Sequence, residues 1–321
     1  MAQPVETTKR IYTSDNTFIE AKNINAYLLD APNVFIENRK KPLCNVTEIV
    51  FGNMPNDDGN FILAEEEVDD FKKKNPSCAD YVKLFLGAEE FINNKKRYCL
   101  WLKNANPKNI ASSKDVMQRI DNVRIKRSSS TREATKKLAE VPMLFGEIRQ
   151  PESGNYLLIP STSSEKRKYI PIGFLSSEVI SSNANMIIPN ATLYDFGILT
   201  SNVHNAWMRA VCGRLKSDYR YSNTIVYNNF PWPAAVKNGD FDKLNHRAKI
   251  EKTAQTILDA RAKYPDSSLG EMYSNLLLYP ELNKAHKEND KAVMEAYGFS
   301  IKMTESECVA KLFELYEQLN K

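Results

Sequence analysis

The sequence has no C-x-x-C pair, and no uninterrupted apolar run approaches the ~20 residues that span a bilayer. Its first residues, MAQPVETTKRIYTSD, contain no apolar stretch of the kind that directs secretion. These absences predict a cytoplasmic chain with no membrane partner. Cys44, Cys78, Cys99, Cys212 and Cys308 are scattered, and His204, His246 and His286 do not cluster near them. A zinc site or a disulfide framework is therefore disfavoured, and the thiols are assigned to packing. No Walker loop, G-x-S-x-G elbow or H-E-x-x-H helix occurs. Glu20-Ala21-Lys22 and Pro265-Asp266 stand in the wrong order for a PD…(D/E)-x-K nuclease. Asn229-Phe230-Pro231-Trp232-Pro233 lacks the adjacent prolines of an amino-methyltransferase loop, and no glycine-rich cofactor turn precedes it. No catalytic residues, metal ligands or cofactor-binding residues are assigned.

What the chain does have is an ordinary globular composition, 42% hydrophobic and 26% charged over 321 residues, enough for two compact units. The net charge of +4 hides an uneven distribution. Residues 95–230 hold 21 Lys and Arg against 10 Asp and Glu, a net of +11, so the remainder carries −7. A basic middle between acidic flanks suits a polyanion-binding segment, although solvated charge alone also produces such a pattern.

Residues 24–51 read as extended segments and turns, and FGNMPNDDGN as a turn cluster. AEEEVDDFKKKNP has the acidic start and basic end of a helix that Pro76 stops. A second helix and the apolar strand RYCLWL follow. Residues 112–139 read as helix broken at Ser128–Ser130 and stopped by Pro142, and carry Lys114, Arg119, Arg124, Lys126, Arg127, Arg132, Lys136 and Lys137. Their charges suit either a solvated face or one that contacts phosphates. Short β-type runs (YLLIP, KYIPIGFL, NMIIP, TIVYNNFPWP) follow, interrupted by the helical LTSNVHNAWMRAVCGRL. After Pro233 three or four amphipathic helices are expected, the last opened by the capping box Thr304/Glu307, with Leu312, Leu315, Tyr316 and Leu319 lining one face that suits either the core or a partner. The fold class is α+β: a mixed, β-rich domain with inserted helices, then a small all-α domain.

The segments EIVFGNMPNDDGNFIL, GAEEFINNKKRYCLWL and YIPIGFLSSEVISSNANMIIPNATLYDFGILTSNVHNAWMRAVCGRLKSDYRYSNTIVYNNFPWP resemble the C-terminal half of MmeI-like type IIG restriction-modification enzymes. FGILTS, WMR, GRLKSDYRYS and YNNFPWP come in the family's order and spacing, and the resemblance runs from about residue 15 to the end. It implies three parts: 1–60, the tail of a methyltransferase domain with linker strands; 61–234, a target recognition domain; and 235–321, a C-terminal helical domain. It also implies double-stranded DNA as partner, together with methyltransferase and nuclease domains of the same enzyme. S-adenosylmethionine and magnesium would be bound there and not by this chain, which is expected to be no enzyme by itself. Two other readings stay open: a specificity subunit docking on a separate methyltransferase, and a complete methyltransferase with an unrecognised cofactor site.

Base reading needs donors and acceptors at base edges, with phosphate contacts setting register. Were GRLKSDYRYS one extended strand, Lys216, Asp218 and Arg220 would share a face. Lys216 would then donate to a guanine and Asp218 accept from the paired cytosine; a surface ion pair is the plainer alternative. The resemblance places specificity determinants in this stretch and in the SNAN turn, at Asn183, Ala184 and Asn185, with Arg220 working beside that turn. Lys114, Arg124, Lys126, Arg127, Lys136, Lys137, Arg214, Tyr221 and Ser222 are expected along the DNA backbone, and Trp207 and Trp232 in the core.

Overall fold

The computed structural model describes residues 8–12, 17–233 and 245–320. The proposed boundary at 234/235 lies outside them. Strands β1 (Lys9–Tyr12) and β2 (Phe18–Ala21) pair antiparallel. The following segment is extended but outside any sheet until β3 (Val50–Phe51), as its Pro and Asn interruptions predict. Next come β4 (Ile62–Ala64), α1 (Val68–Lys74), β5 (Val82–Leu86), α2 (Ala88–Asn93), β6 (Arg97–Leu100), α3 (Pro107–Ser112), α4 (Lys114–Ser128) and α5 (Glu133–Lys137). The β-rich stretch supplies β7 (Asn155–Pro160), β8 (Thr162–Ser163), β9 (Gly173–Ser176), β10 (Ile180–Ser181) and β11 (Asn185–Pro189). Helices α6 (Leu193–Leu199) and α7 (Asn202–Val211) interrupt it before β12 (Gly213–Leu215) and β13 (Asp218–Arg220). Among the described residues four α-helices follow residue 245: α8 (His246–Ala262), α9 (Leu269–Ser274), α10 (Pro280–Tyr297) and α11 (Glu305–Leu319).

The strands assort into small sheets ordered β1-β2, β10-β5-β6-β4, β3-β11-β7-β9 and β12-β13-β8. The second packs with α1 and α4 around Phe61, Phe71, Val116, Ile120 and Val123. Helix α4 starts where Ser113 Oγ accepts the Val116 amide and ends in the serine run that the sequence marks. The larger core runs from Val34 through Leu157, Trp207 and Trp232 to Leu312 and Tyr316, so one apolar interior holds the β-rich part and the closing helices together. Trp207 is buried, donates to the Val226 carbonyl at 2.9 Å, and meets Phe313 of α11 with ring centroids 5.6 Å apart. The Thr304/Glu307 box forms at the start of α11, with the Glu307 amide donating to Thr304 Oγ1.

One expected strand is helical instead. Asn223 and the TIVY (224–227) of TIVYNNFPWP coil into a single wide turn, because Ser222 Oγ accepts the Ile225 amide and the Asn228 amide reaches back to the Asn223 carbonyl. Capping and the anchoring of Val226 by Trp207 outweigh the β-preference of Thr, Ile and Val.

Candidate nucleic-acid interface

The SNAN turn is the point where the chain crosses between two sheets. β10 lies parallel to β5 in one, and β11 pairs with β3 and β7 in the other. Residues 182–184 make the crossing and are clamped from beneath by Gly52 and Asn53. Asn53 is buried; its side-chain amide donates to Ser181 O and Gln150 Oε1, its Oδ1 accepts the amides of Arg149 and Gln150, and its carbonyl accepts the Asn183 amide at 2.9 Å. Gly52 lies so close that a Cβ there would sit 2.2 Å from the Ser182 carbonyl oxygen.

This clamp leaves Asn183 and Ala184 exposed. It does the opposite to Asn185, which corrects the base-reading role expected of that residue. Asn185 is fully buried, and its amide group donates to the Leu86 carbonyl at 2.9 Å, so it ties the turn to β5 and has no route to a base edge.

The second candidate segment is a hairpin and not the single strand expected. Leu215 pairs with Asp218, so Lys216 and Ser217 form a two-residue turn, and Lys216 takes a left-handed φ of 55°. The turn removes Lys216 from the face it was expected to share with Asp218 and Arg220. Those two do share a face of β13, Asp218 half-buried and Arg220 exposed. Tyr219 points to the other side, is buried, and carries the Arg214 guanidinium 4.0 Å above its ring. Arg214 also approaches Glu165 at 3.8 Å while staying partly exposed.

The next two residues are structural, against their expected backbone-contacting role. Tyr221 is buried, with its hydroxyl 3.0 Å from His204 Nε2, and burial pushes both the phenol up and the imidazole down, the latter to about 3. The Ser222 hydroxyl is the cap of the wide turn, accepting the Ile225 amide.

Ser161 joins the two segments. Its amide donates to the Ala184 carbonyl at 3.1 Å, and its own carbonyl accepts the Tyr221 amide at 2.9 Å. Pairing of β8 with β13 (Ser163 with Tyr219, Thr162 with Arg220) continues the seam. Asn183, Ala184, Asp218 and Arg220 are thereby brought to one region, although more than 30 residues separate the two groups in sequence. Nothing in the periodicity of either segment announces Ser161, Gly52 or Asn53 as their supports.

The basic helical stretch divides in two. Arg127 cannot meet a phosphate: it is wholly buried and donates to five main-chain carbonyls, those of Pro55, Asn56, Leu138, Val141 and Leu144. It binds α4 to the β3–β4 loop and to the segment after α5. Arg124, Lys126 and Lys136 are exposed but paired with Asp121, Asp58 and Glu133 at 2.6, 3.1 and 2.7 Å. Such surface pairs are weak and yield to a stronger anion. Lys114 and Lys137 are exposed.

Trp232 is buried as expected, and all five cysteines are free thiols, Cys212 half-buried and the rest buried. Among the described residues no group of three or more His, Cys, Asp or Glu is placed to hold a metal ion, and no helix is long and apolar enough to cross a membrane.

Comparison with known proteins agrees with the resemblance read from the motifs. The MmeI target recognition domain matches residues 30–234, and the MmeI C-terminal domain matches residues 242–321. DNA methyltransferase A of Bacillus subtilis (strain 168) is 37% identical over 310 residues, 96% of this chain and 34% of that protein. The structure of the type IIL restriction-modification enzyme MmeI in complex with DNA superposes with a TM-score of 0.88 at 44% identity, covering 95% of this chain and 40% of that one. The chain thus spans between a third and two fifths of the length of these relatives.

Proposed function

The chain belongs to the MmeI family, and from that membership we propose that it reads double-stranded DNA for a restriction-modification methyltransferase. The observation that carries this reading is the junction at Ser161, which sets the exposed Asn183–Ala184 turn beside the outward face of β13 with Asp218 and Arg220. In the reading, Asp218 accepts from the exocyclic amino group of cytosine or adenine, and Arg220 donates in bidentate fashion to a guanine. Lys216, at the tip of the hairpin, adds a second donor, and the small Ala184 leaves Arg220 room to reach its base.

Lys114, Arg124, Lys126, Lys136, Lys137 and Arg214 supply attraction to phosphates that is independent of sequence. Residues 30–234 act as the recognition domain, since Val34, Cys44 and β3 already belong to its core and sheet, and residues 242–321 act as the helical domain. Catalysis, S-adenosylmethionine and magnesium belong to the rest of the cytoplasmic enzyme, and this portion turns over nothing by itself.

The test is competition binding against a panel of duplexes that differ at single base pairs. Exchanging the charges, Lys216→Glu with Asp218→Arg, is expected to change the preferred base at one position only. An unchanged preference in the double variant sinks the base-reading assignment.

A further inference from the structure

Eight described arginines are buried or half-buried, and seven of them bond to protein acceptors. Arg127 uses five carbonyls, Arg97 and Arg209 use glutamates, and Arg119 and Arg149 use main-chain oxygens as well as carboxylates. Arg261 reaches Tyr273 and the Ile172 carbonyl, and Arg39 reaches Asn229. Arg167 is the exception among the described residues. Its Nε is sealed from solvent without any acceptor, and its side chain makes no hydrogen bond or ion pair. Leaving a charged donor unsatisfied in a partly buried place is unfavourable, and such a group marks a position held for an acceptor that arrives from outside.

The position of Arg167 tells which acceptor. β8 pairs with β13 through Ser163 and Thr162, so the chain leaving β8 runs beside Asp218. A turn closed by the Arg167 amide on the Ser164 carbonyl at 3.1 Å follows, and the guanidinium comes within electrostatic reach of Asp218 in the hairpin. Lys166 and Lys168 flank it in sequence and are exposed, Lys168 over the Tyr169 ring, while Glu165 faces Arg214 of the hairpin. Burial weakens the guanidinium's hold on its proton, and the nearby Asp218 carboxylate opposes that effect without reaching ion-pair distance. A rigid planar fork with free terminal donors, in a cationic loop at the edge of the reading face, matches the geometry of a phosphodiester oxygen pair.

We propose that Arg167 is a DNA-phosphate clamp that fixes the register of the β12–β13 hairpin on the duplex. The inference rests on the DNA-reading proposal. Clamping is sequence-independent: it sets where Asp218 and Arg220 stand and does not itself choose a base.

The experiment compares the 321-residue chain with its Arg167→Ala and Arg167→Lys variants across a salt series, using two fluorescent duplexes, the best binder from the single-base-pair panel and one of random sequence. Arg167→Ala should lose about tenfold in affinity for both duplexes alike and lower the slope of log affinity against log salt by about 1. Arg167→Lys should restore the slope, because it keeps the charge. A thermal melt gives an independent readout: removing an unsatisfied half-buried cation should leave the midpoint unchanged or raise it. Equal affinity of Arg167→Ala and the unsubstituted chain overturns the clamp, as does a loss confined to one base-pair variant or a lowered midpoint that accounts for the loss. If the unsubstituted chain binds no duplex, the DNA-reading proposal falls with it; binding that Arg167→Ala retains in full removes only the clamp.

Discussion

The hydroxyl of Tyr169 donates to Asp290 Oδ2 at 2.6 Å, across 121 residues of sequence and between the β-rich part and helix α10. The other carboxylate oxygen accepts the Asn202 amide at 2.8 Å, at the start of α7. His286, one turn before Asp290, stacks on Tyr169 with ring centroids 4.2 Å apart and meets the Tyr273 hydroxyl at 2.6 Å. Arg261 of α8 completes the chain of contacts by bonding both Tyr273 and the Ile172 carbonyl. A polar network of this kind, sealed inside a shared core, fixes the angle at which the closing helices meet the strands.

Asp290 gives this network a pH signature. Burial raises its carboxyl from 3.8 to about 6, so the folded state holds a proton that the unfolded chain has released between those values. Its contribution is therefore fully present below pH 3.8, declines as pH rises through 6, and is constant above. The cost at neutral pH is at most ~3 kcal/mol. Urea midpoints at pH 4.5 and 8 for the unsubstituted chain and Asp290→Asn test this: the stability difference between them should shift in favour of Asp290→Asn at pH 8. Buried His204 and His286, both held neutral, lower stability as pH falls below 6.5 in the two proteins alike, so they cancel in that difference.

Arg127→Ala should unfold the chain and not merely loosen its grip on DNA. Five carbonyl acceptors lose their donor at once, for a destabilisation on the order of 3–5 kcal/mol by chemical denaturation. Lys137→Ala, at an exposed position of the same basic stretch, should leave stability within about 0.5 kcal/mol and lower the salt slope of DNA binding by about 1.

Gly52→Ala should displace the SNAN turn, since the new Cβ would lie 2.2 Å from the Ser182 carbonyl oxygen and main chain must move. A loss of ~3 kcal/mol is expected, with relaxed base preference in whatever folded fraction remains. Gly213→Ala is the control. A Cβ there meets nothing within 4 Å, so its denaturation midpoint should match that of the unsubstituted chain.

Ending the chain at residue 233 should leave no stable recognition unit. Trp207 and Phe230 pack against residues of α10 and α11 in the shared core, and the cut exposes them. Strong dye binding to exposed apolar surface and a broad melt are expected; a sharp, unchanged transition would show instead that the strands fold without the helices.

Features governed by neighbours in sequence were legible beforehand. The limits of α4, the Thr304 cap and the burial of Trp207, Trp232, Leu312 and Tyr316 follow from periodicity and capping chemistry that act over a single turn. What escaped the sequence depends on distant partners. Arg127 reads as one more surface cation because its acceptors lie at residues 55–56 and 138–144. Lys216 reads as part of a strand because alternation assumes that the strand continues, whereas pairing of Leu215 with Asp218 turns the chain back. Asn185 and Asn183 look alike in sequence, and only the crossing between sheets decides which is sealed in and which faces solvent.

The hairpin of β12 and β13 has three residues in each strand and, among the described residues, pairs with one further strand, β8. Its outward positions, with Leu215 half exposed, contribute little to holding the interior together. Substitutions at Asp218 or Arg220 should therefore cost little folding stability. The surface that would choose a DNA sequence is thus separate from the Ser161, Asn53 and core contacts that hold its frame in place.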